Sequence, residues 1–451
     1  MSQLTVSGNR RFLQTRDGQP FFWLGDTAWL LFERLDREEV ERYLENRRRK
    51  GFNVVQVMVI RSAESKNAYG SLALTEGDPA RPRVTPGSDP DNEHEYDYWD
   101  HVDWIVSQAA ARGIYVGMVA AWGSVVDEGI LNAGNVRAYA RFLAERYRDQ
   151  PNIVWLTGGD THGNENTEVW RALGETLNAL DPNHLITFHP FGRTQSSTWF
   201  HDEPWLDFNM FQSGHRRYGQ DSELPDPKGE DNWRYVEDDL AKHPPKPTLD
   251  GEPSYEEIPQ GLHDPAEPYW TADDVRRYAY WSVFAGSFGH TYGHNAVMQM
   301  HAPDSGEGAY GVRSYWYDAI DAPGAGQLQH LNALMLSRPF FERVPDQGLI
   351  DGENGERYER VIATRGSSYA LIYTYTGRPF TVRMGRIGGE RVRAWWFDPR
   401  TGNSKEAGAL HNEGVHRFDP PGAPRQGNDW VLVLDDTTQS FAMPGTGSDS
   451  R

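Results

Sequence analysis

The chain contains no cysteine among its 451 residues. That removes disulfide scaffolds, thiol nucleophiles and cysteine-ligated zinc or iron–sulfur centres together. It is also short of positive charge: 45 Lys and Arg stand against 65 Asp and Glu, a formal charge of −20. Displacing counterions from a polyanion takes a cationic face, so neither a nucleic-acid partner nor an anionic membrane surface is expected. No run approaches about 18 consecutive apolar residues, so no membrane-spanning helix is expected. The opening stretch Met1 to Arg11 holds no apolar core of the signal-peptide kind, which reads as a cytoplasmic protein, or an extracytoplasmic one if a leader was removed. Several catalytic signatures are missing too. There is no P-loop, dinucleotide fingerprint, H-E-x-x-H or G-x-S-x-G. Gly286-Ser-Phe-Gly289 precedes an apolar run rather than following one, which is the wrong order for a nucleophile elbow.

What is present is a long alternation of short apolar runs and amphipathic stretches. Eight runs read as strands: Phe21–Asp26, Val54–Ile60, Tyr115–Trp122, Ile153–Asp160, Leu185–Phe191, Phe208–Gly214, Pro247–Glu252 and His290–Val297. Most are apolar or β-branched throughout, as strands covered on both faces are. Helical patterns lie between them. Asp36-Arg-Glu-Glu39 opens one as a capping box and Gly51 ends it; Tyr98–Arg112, Val136–Tyr147, Thr167–Leu180 and Asn232–Leu240 follow. Another helix starts at Thr271-Ala-Asp-Asp274, and Gly192–Asp207 reads mostly as loop. Eight such units over about 300 residues predict a (β/α)8 TIM barrel. A doubly wound sheet is the alternative, but Gly25-Asp-Thr27 is not its phosphate loop. From Gly348 the runs become short and alternating, separated by Gly, Asn, Asp and Pro, which predicts a small antiparallel β-sandwich. The expected division is a catalytic barrel over 1–337, a β-sandwich over 338–440 and a disordered tail over 441–451.

Barrel enzymes place their chemistry at the C-terminal ends of the strands. Polar residues there form the candidate list: Asp26, Arg61 with Gln56 below it, Trp122, Asp160 followed by His162, His189, Gln212 with His215, Glu252 with Tyr255, and His294 with Asn295. Asp160 and Glu252 are the two carboxylates, on strands 4 and 7 of a closed barrel. Paired carboxylates across a sugar-sized gap are the machinery of glycoside hydrolysis, roughly 5–5.5 Å apart in retaining enzymes and 6.5–9.5 Å in inverting ones. Gly158-Gly159 lets the chain turn tightly before Asp160. Taken singly, each acid could instead cap a helix or sit in a surface loop. Asp26 and Trp29, in Trp23-Leu-Gly-Asp-Thr-Ala-Trp29, read either as sugar contacts or as a cap. The 16 Trp and 21 Tyr supply rings on which sugar C–H faces stack, or simply fill a large core. Candidate substrate contacts are therefore Asp26, Trp29, Gln56, Trp122, His162, His189, Gln212, His215, Tyr255 and His294. His290 and His294 are four apart, a spacing that gathers metal ligands on a helix and not on a strand, so no metal and no cofactor is expected. A metal-dependent hydrolase and a non-catalytic carbohydrate-binding barrel remain the rival readings.

These motifs resemble a known family. Gly18-Gln-Pro-Phe-Phe-Trp-Leu-Gly-Asp-Thr-Ala-Trp29, Arg34-Leu-Asp-Arg-Glu-Glu39, Lys50-Gly-Phe-Asn-Val-Val-Gln56, Trp155-Leu-Thr-Gly-Gly-Asp160 and Asp250-Gly-Glu-Pro253 are similar to the apiosidase-like (DUF4038) proteins of glycoside hydrolase family 140. The likeness runs over about residues 5–335, and the remainder resembles the collagen-binding-type β-domain that often follows this barrel. The resemblance implies a (β/α)8 glycosidase with an aspartate acid/base and a glutamate nucleophile, which fall on Asp160 and Glu252. It implies release of apiose, a branched pentose, from pectic side chains. The expectation is an exo-acting, cofactor-free enzyme on a carbohydrate substrate. The acidic chain argues for a short or neutral oligosaccharide, since like charges slow encounter.

Overall fold

Eight of the apolar runs become eight parallel strands: β1 (Trp23–Thr27), β2 (Val54–Met58), β3 (Tyr115–Val119), β4 (Ile153–Thr161), β5 (Ile186–Pro190), β6 (Asn209–Gln212), β7 (Thr248–Asp250) and β8 (Gly289–Tyr292). They lie in a computed structural model that describes residues 1–446. The ladder runs β5-β4-β3-β2-β1-β8-β7-β6, and Thr194–Gln195 adds a short antiparallel strand beyond β6. The seam between β5 and β6 is closed by other bonds. Asp207 N donates to Ile186 O at 2.9 Å, Ile186 N to an Asp207 carboxylate oxygen at 2.7 Å, and the Thr187 hydroxyl to Phe208 O at 2.7 Å. The result is a (β/α)8 barrel.

Strand period sorts the side chains. Val54, Val154 and Leu156 belong to the interior cluster, whereas Val55, Val57 and Trp155 pack outward under the helices. The helices start where their caps say. Asp36, Asp97 and Thr271 each close a capping box, with Glu39, Asp100 and Asp274. Before the barrel, Leu4–Val6, Leu13–Thr15 and Pro20–Phe21 form a small antiparallel sheet. It lies at the N-terminal end of the strands, where Phe21 meets Tyr115 edge-on at 5.1 Å.

Several strand ends differ from expectation. The last run stops at Tyr292, because the chain turns at Gly293 into the helical turn Asn295–Met298. His294 is the cap of that turn and not a strand residue.

The C-terminal part is antiparallel, as expected. Six strands pair in the order Val344–Pro345, Val361–Arg365, Tyr369–Thr374, Trp430–Asp436, Arg391–Phe397, Ser404–His411. A two-stranded ribbon, Phe380–Arg383 with Val415–Phe418, covers one face of this sheet through Phe380 and Val382. The other face shares its core with the barrel. Leu371, Tyr373 and Val433 pack in one cluster with Tyr280, Trp281 and Phe284 of helix Ala272–Ala285. Two buried bidentate ion pairs cross the same junction. Arg276 reaches Asp429 at 2.7 and 3.0 Å, and Arg338 reaches Asp435 at 2.7 and 2.8 Å. The tail is seated further than its composition suggested. Phe441 stands edge-on to Tyr369 at 6.5 Å, and Gly445 N donates to the Ser337 hydroxyl at 3.4 Å. Residues 447–451 of the expected tail lie outside the described residues. No helix among the described residues is long and apolar enough to cross a membrane.

Candidate active site

Asp160 owes its position to a break in β4. His189 pairs with Gly158, but the next residue, Pro190, pairs with Thr161. Gly159 and Asp160 are therefore looped out as a bulge. Gly158 and Gly159 take φ of 86° and 111°, and Asp160 itself sits in the left-handed region at φ 48°. Bulges re-aim side chains next to active sites, and a non-glycine residue held at positive φ stores strain. Here the bulge aims the Asp160 carboxylate into a cavity of ≈ 520 Å³ at the C-terminal end of the barrel. Glu252 follows β7 across the barrel and lines the same cavity.

A Cβ on Gly159 would collide with the Trp122 indole. Gly159→Ala is therefore expected to destabilise the protein by about 1–3 kcal/mol through forced strain and to lower kcat/KM by displacing Trp122. A thermal melt and a kinetic assay read the two effects.

One donor atom each from Asp160, His189 and Glu252 lies within 4.8 Å of the other two. Two imidazoles attend Glu252. His215 Nε2 bonds its Oε1 at 3.2 Å, and His189 Nε2 lies 3.2 Å from its Oε2, off the line of a good hydrogen bond. Burial by itself would raise the Glu252 carboxyl. The close polar contacts and charge of these two histidines outweigh it and hold Glu252 down to about 2. Asp160 goes the other way. It is exposed to the cavity, but the cavity is recessed. Loss of bulk water, and then the negative charge of Glu252, push Asp160 up to about 6. Two carboxyls side by side thus have ionisation ranges pushed apart, one acid and one anion, which is how acid and nucleophile roles are separated. Asp160, His189 and Glu252 are also the three-donor set, among the described residues, tight enough to share a cation.

Aromatic rings build the floor and rim. Trp29, Trp122 and His189 cluster at centroid distances of 5.1–5.7 Å. The Trp29 indole donates to the Tyr255 hydroxyl at 3.1 Å, and Tyr255 stands edge-on to His215 at 4.5 Å. Gln212 lines the wall beside Asp160, with its Oε1 unpartnered. So, of the sequence candidates, Asp160, Glu252, Trp29, Trp122, Gln212, His215 and Tyr255 line the cavity, and His189 reaches it through Glu252.

Four other candidates do not. Asp26 points outward from β1 into the helix layer. There it is fully buried, accepts from the Tyr43 hydroxyl at 2.5 Å and lies 3.4 Å from Arg47. Gln56 is buried beneath the cavity and donates to Gly251 O at 2.8 Å, so it braces the peptide next to Glu252. His162 lies against Phe191, the rings tilted with centroids 4.7 Å apart, and does not line the cavity. His294 is buried, its Nδ1 accepting from Ala296 N at 3.1 Å. His290 faces Ser282 on the outer side of β8, so it and His294 share no ligand position.

The sequence-based list missed the rim. Phe191 and Tyr310 are both 37% exposed and border the cavity with Arg61, Arg193, Arg216 and His263. Arg61, already on that list, and Phe191 stand at the ends of apolar runs; Arg193, Arg216, His263 and Tyr310 come from loops with no periodic signal. Arg61 is paired with Glu33 at 2.8 Å. Arg193 and Arg216 have no carboxylate within ion-pair distance among the described residues, and Arg193 Nε is buried without a partner.

Comparison with known proteins agrees with this geometry. Residues 7–342 match the family described as "Apiosidase-like, catalytic domain", and residues 344–435 match "Putative collagen-binding domain of a collagenase". A solved structure described as a glycoside hydrolase is 51% identical, covers 98% of this chain and 98% of its own, and superposes with a TM-score of 0.92. The crystal structure of a glycoside hydrolase family 5 protein from Bacteroides vulgatus ATCC 8482 is 48% identical, covers 99% of this chain and 96% of its own, and gives a TM-score of 0.93. No curated protein matches the chain.

Proposed function

Since the chain belongs to the apiosidase-like family of glycoside hydrolases, we propose that it releases a terminal apiose, or a similar pentose, from plant-type oligosaccharides by a retaining mechanism. The observation that carries this reading is the Asp160–Glu252 pair. One oxygen of each carboxylate lies within 4.8 Å of the other, a close approach that fits the side-by-side pair of a retaining enzyme, whose carboxyl groups stand about 5–5.5 Å apart. Its ionisation ranges are separated in the required sense.

In the first step a Glu252 carboxylate oxygen attacks the anomeric carbon. The glycosidic C–O bond breaks, and the Asp160 proton passes to the leaving oxygen. Asp160 is then a carboxylate. It takes a proton from water, whose oxygen attacks the anomeric carbon and displaces Glu252, freeing the sugar and restoring both groups. His189 and His215 keep Glu252 ionised and oriented. Trp29 and Trp122 offer apolar faces to the ring, and a cavity of ≈ 520 Å³ suits a small sugar unit rather than a polymer.

Charge acts at two scales. The net charge of −20 governs encounter, but Arg193 and Arg216 present unpaired guanidinium groups at the mouth. They fit a carboxylate on the leaving-group sugar, such as a uronate, within the short oligosaccharide that the net charge favours. The test is product analysis on apiose-bearing pectic oligosaccharides and aryl pentosides. Free pentose is expected, with the uronate-linked substrate preferred, and Arg193→Ala is expected to erase that preference. Release of a different sugar would redirect the assignment of specificity.

A second reading, metal-dependent hydrolysis, draws on the same three donors. Full activity after exhaustive chelation eliminates it; loss restored by a divalent cation would favour it.

A further inference from the structure

Arg216 enters the cavity wall from the turn 216–220. Its Nη1 donates to Gln220 O at 3.1 Å, and Arg217 N donates to Gln220 Oε1 at 2.9 Å. Tyr218 is the middle of this turn. Its backbone N–H donates to Glu230 Oε1 at 3.1 Å. Glu230 is fully buried, and its other oxygen accepts from Arg277 Nη2 at 2.5 Å. The same Oε1 accepts from the hydroxyl of Tyr358 at 2.7 Å. Tyr358 belongs to the C-terminal part of the chain.

The aromatic contacts repeat the pattern. Arg277 is caged by four rings at 4.7–5.2 Å: Tyr278 and Trp281 from the barrel helix, Tyr358 and Tyr375 from the C-terminal part. Tyr218 packs against Tyr358 at 5.5 Å, and the Arg357 guanidinium lies 5.0 Å from its ring. The barrel alone would leave one side of the Arg277–Glu230 pair open to water. It would also leave Glu230 with one fewer donor, and Glu230 is the acceptor that fixes the Tyr218 turn. A buried pair missing part of its hydrogen-bond shell is weakly held.

We propose that the C-terminal β-domain is a specificity device: through Tyr358 and Glu230 it fixes the turn that carries Arg216 into the leaving-group side of the cavity. Tyr358 is then a positioning residue, and the domain reaches the substrate only through the loop. The inference rests on the reading of Arg216 as a leaving-group contact, and the test separates the two.

The experiment uses the full chain and the variant Tyr358→Phe, which keeps the ring in the Arg277 cage and deletes only the hydroxyl. Two substrates are compared: a terminal-pentose oligosaccharide with an adjacent uronate, and a 4-nitrophenyl pentoside with no charge on its leaving group. A hydrogen bond to a buried charged group is stronger than one between neutral groups, so partial loosening of the turn is expected to cost about tenfold in kcat/KM on the uronate substrate, through KM. The aryl pentoside is expected to change less than about twofold by the same reasoning. Hydrogen exchange at the Tyr218 amide is expected to speed up, with the barrel strands unchanged. Arg216→Ala should lower turnover of the uronate substrate as well. If Arg216→Ala is impaired while Tyr358→Phe matches wild type in both kinetics and exchange, the positioning role is overturned. If neither variant affects the uronate substrate, the leaving-group reading of Arg216 falls and the proposal falls with it. An equal loss on both substrates would overturn it too, because general destabilisation does not select by charge.

Discussion

Replacing Glu252 by alanine is expected to lower turnover on the order of 10⁴-fold or more, the scale on which loss of a nucleophile acts. The protein should remain folded. Glu252 is buried under two imidazoles, and removing it leaves His189 and His215 without their anion but deletes no core packing. Binding of the pentose product, read by calorimetry, is expected to persist within about tenfold, because Trp29, Trp122 and Tyr255 still form the walls. That combination, binding kept and turnover lost, separates catalysis at this site from simple carbohydrate recognition. A Glu252→Ala variant that turns over at the wild-type rate would remove Glu252 from the mechanism.

The second large effect belongs to Asp160, and it depends on the leaving group. A general acid contributes about 10²–10⁴-fold, and it matters most when the departing oxygen needs a proton. Asp160→Ala is therefore expected to lose about that factor on oligosaccharides, and much less on a 2,4-dinitrophenyl pentoside, whose phenolate departs unaided. Added azide should restore turnover on the activated substrate, since a small anion fits the space left by the carboxylate and needs no general base. The pH profile carries the sign. The Asp160 carboxyl is raised to about 6 and must be protonated for the first step, so wild-type activity should fall as pH rises through about 6. With Glu252 held at about 2, no acid limb is expected in the working range. In Asp160→Ala the alkaline limb should vanish. An unchanged limb in that variant would assign it to another group.

The position of the proposed catalytic pair at strand ends was legible in the sequence for a physical reason. A barrel confines functional side chains to strand ends, and strand ends are marked by apolar runs stopping at Asp160 and shortly before Glu252. What the sequence concealed was direction. Asp26 also ends an apolar run, yet strand parity turns it outward to Tyr43 and Arg47. Gln56 shares the inward parity but lies one layer too deep. A shift of one residue decides such cases, and periodicity alone carries no absolute phase. The bulge at Gly159–Asp160 is the local exception that turns Asp160 to the cavity, and its Gly-Gly pair was the visible trace of it.

The rim was illegible because loops carry it. Tyr310, Arg193 and Arg216 meet in space from three separate segments with no repeating pattern. The outer strands Ser404–His411 and Val415–Phe418 are hard to read for a related reason: mostly exposed, they show no apolar alternation to count. The junction with the C-terminal sheet was partly visible, since Arg338-Pro-Phe-Phe341 leads into it without a Gly- or Ser-rich spacer. The buried pairs Arg276–Asp429 and Arg338–Asp435 were not, because their partners stand about 100 or more residues apart.

The most direct test of the account is intact-mass and peptide analysis of Asp160→Ala mixed with the 2,4-dinitrophenyl pentoside. Without its acid/base the variant should form the glycosyl–enzyme quickly and hydrolyse it slowly. The predicted result is a covalent adduct of one pentosyl unit, mapped to the peptide containing Glu252 and discharged by azide. Steady turnover with no adduct, or an adduct on any other residue, would contradict the assignment of Glu252 as nucleophile and the retaining mechanism with it.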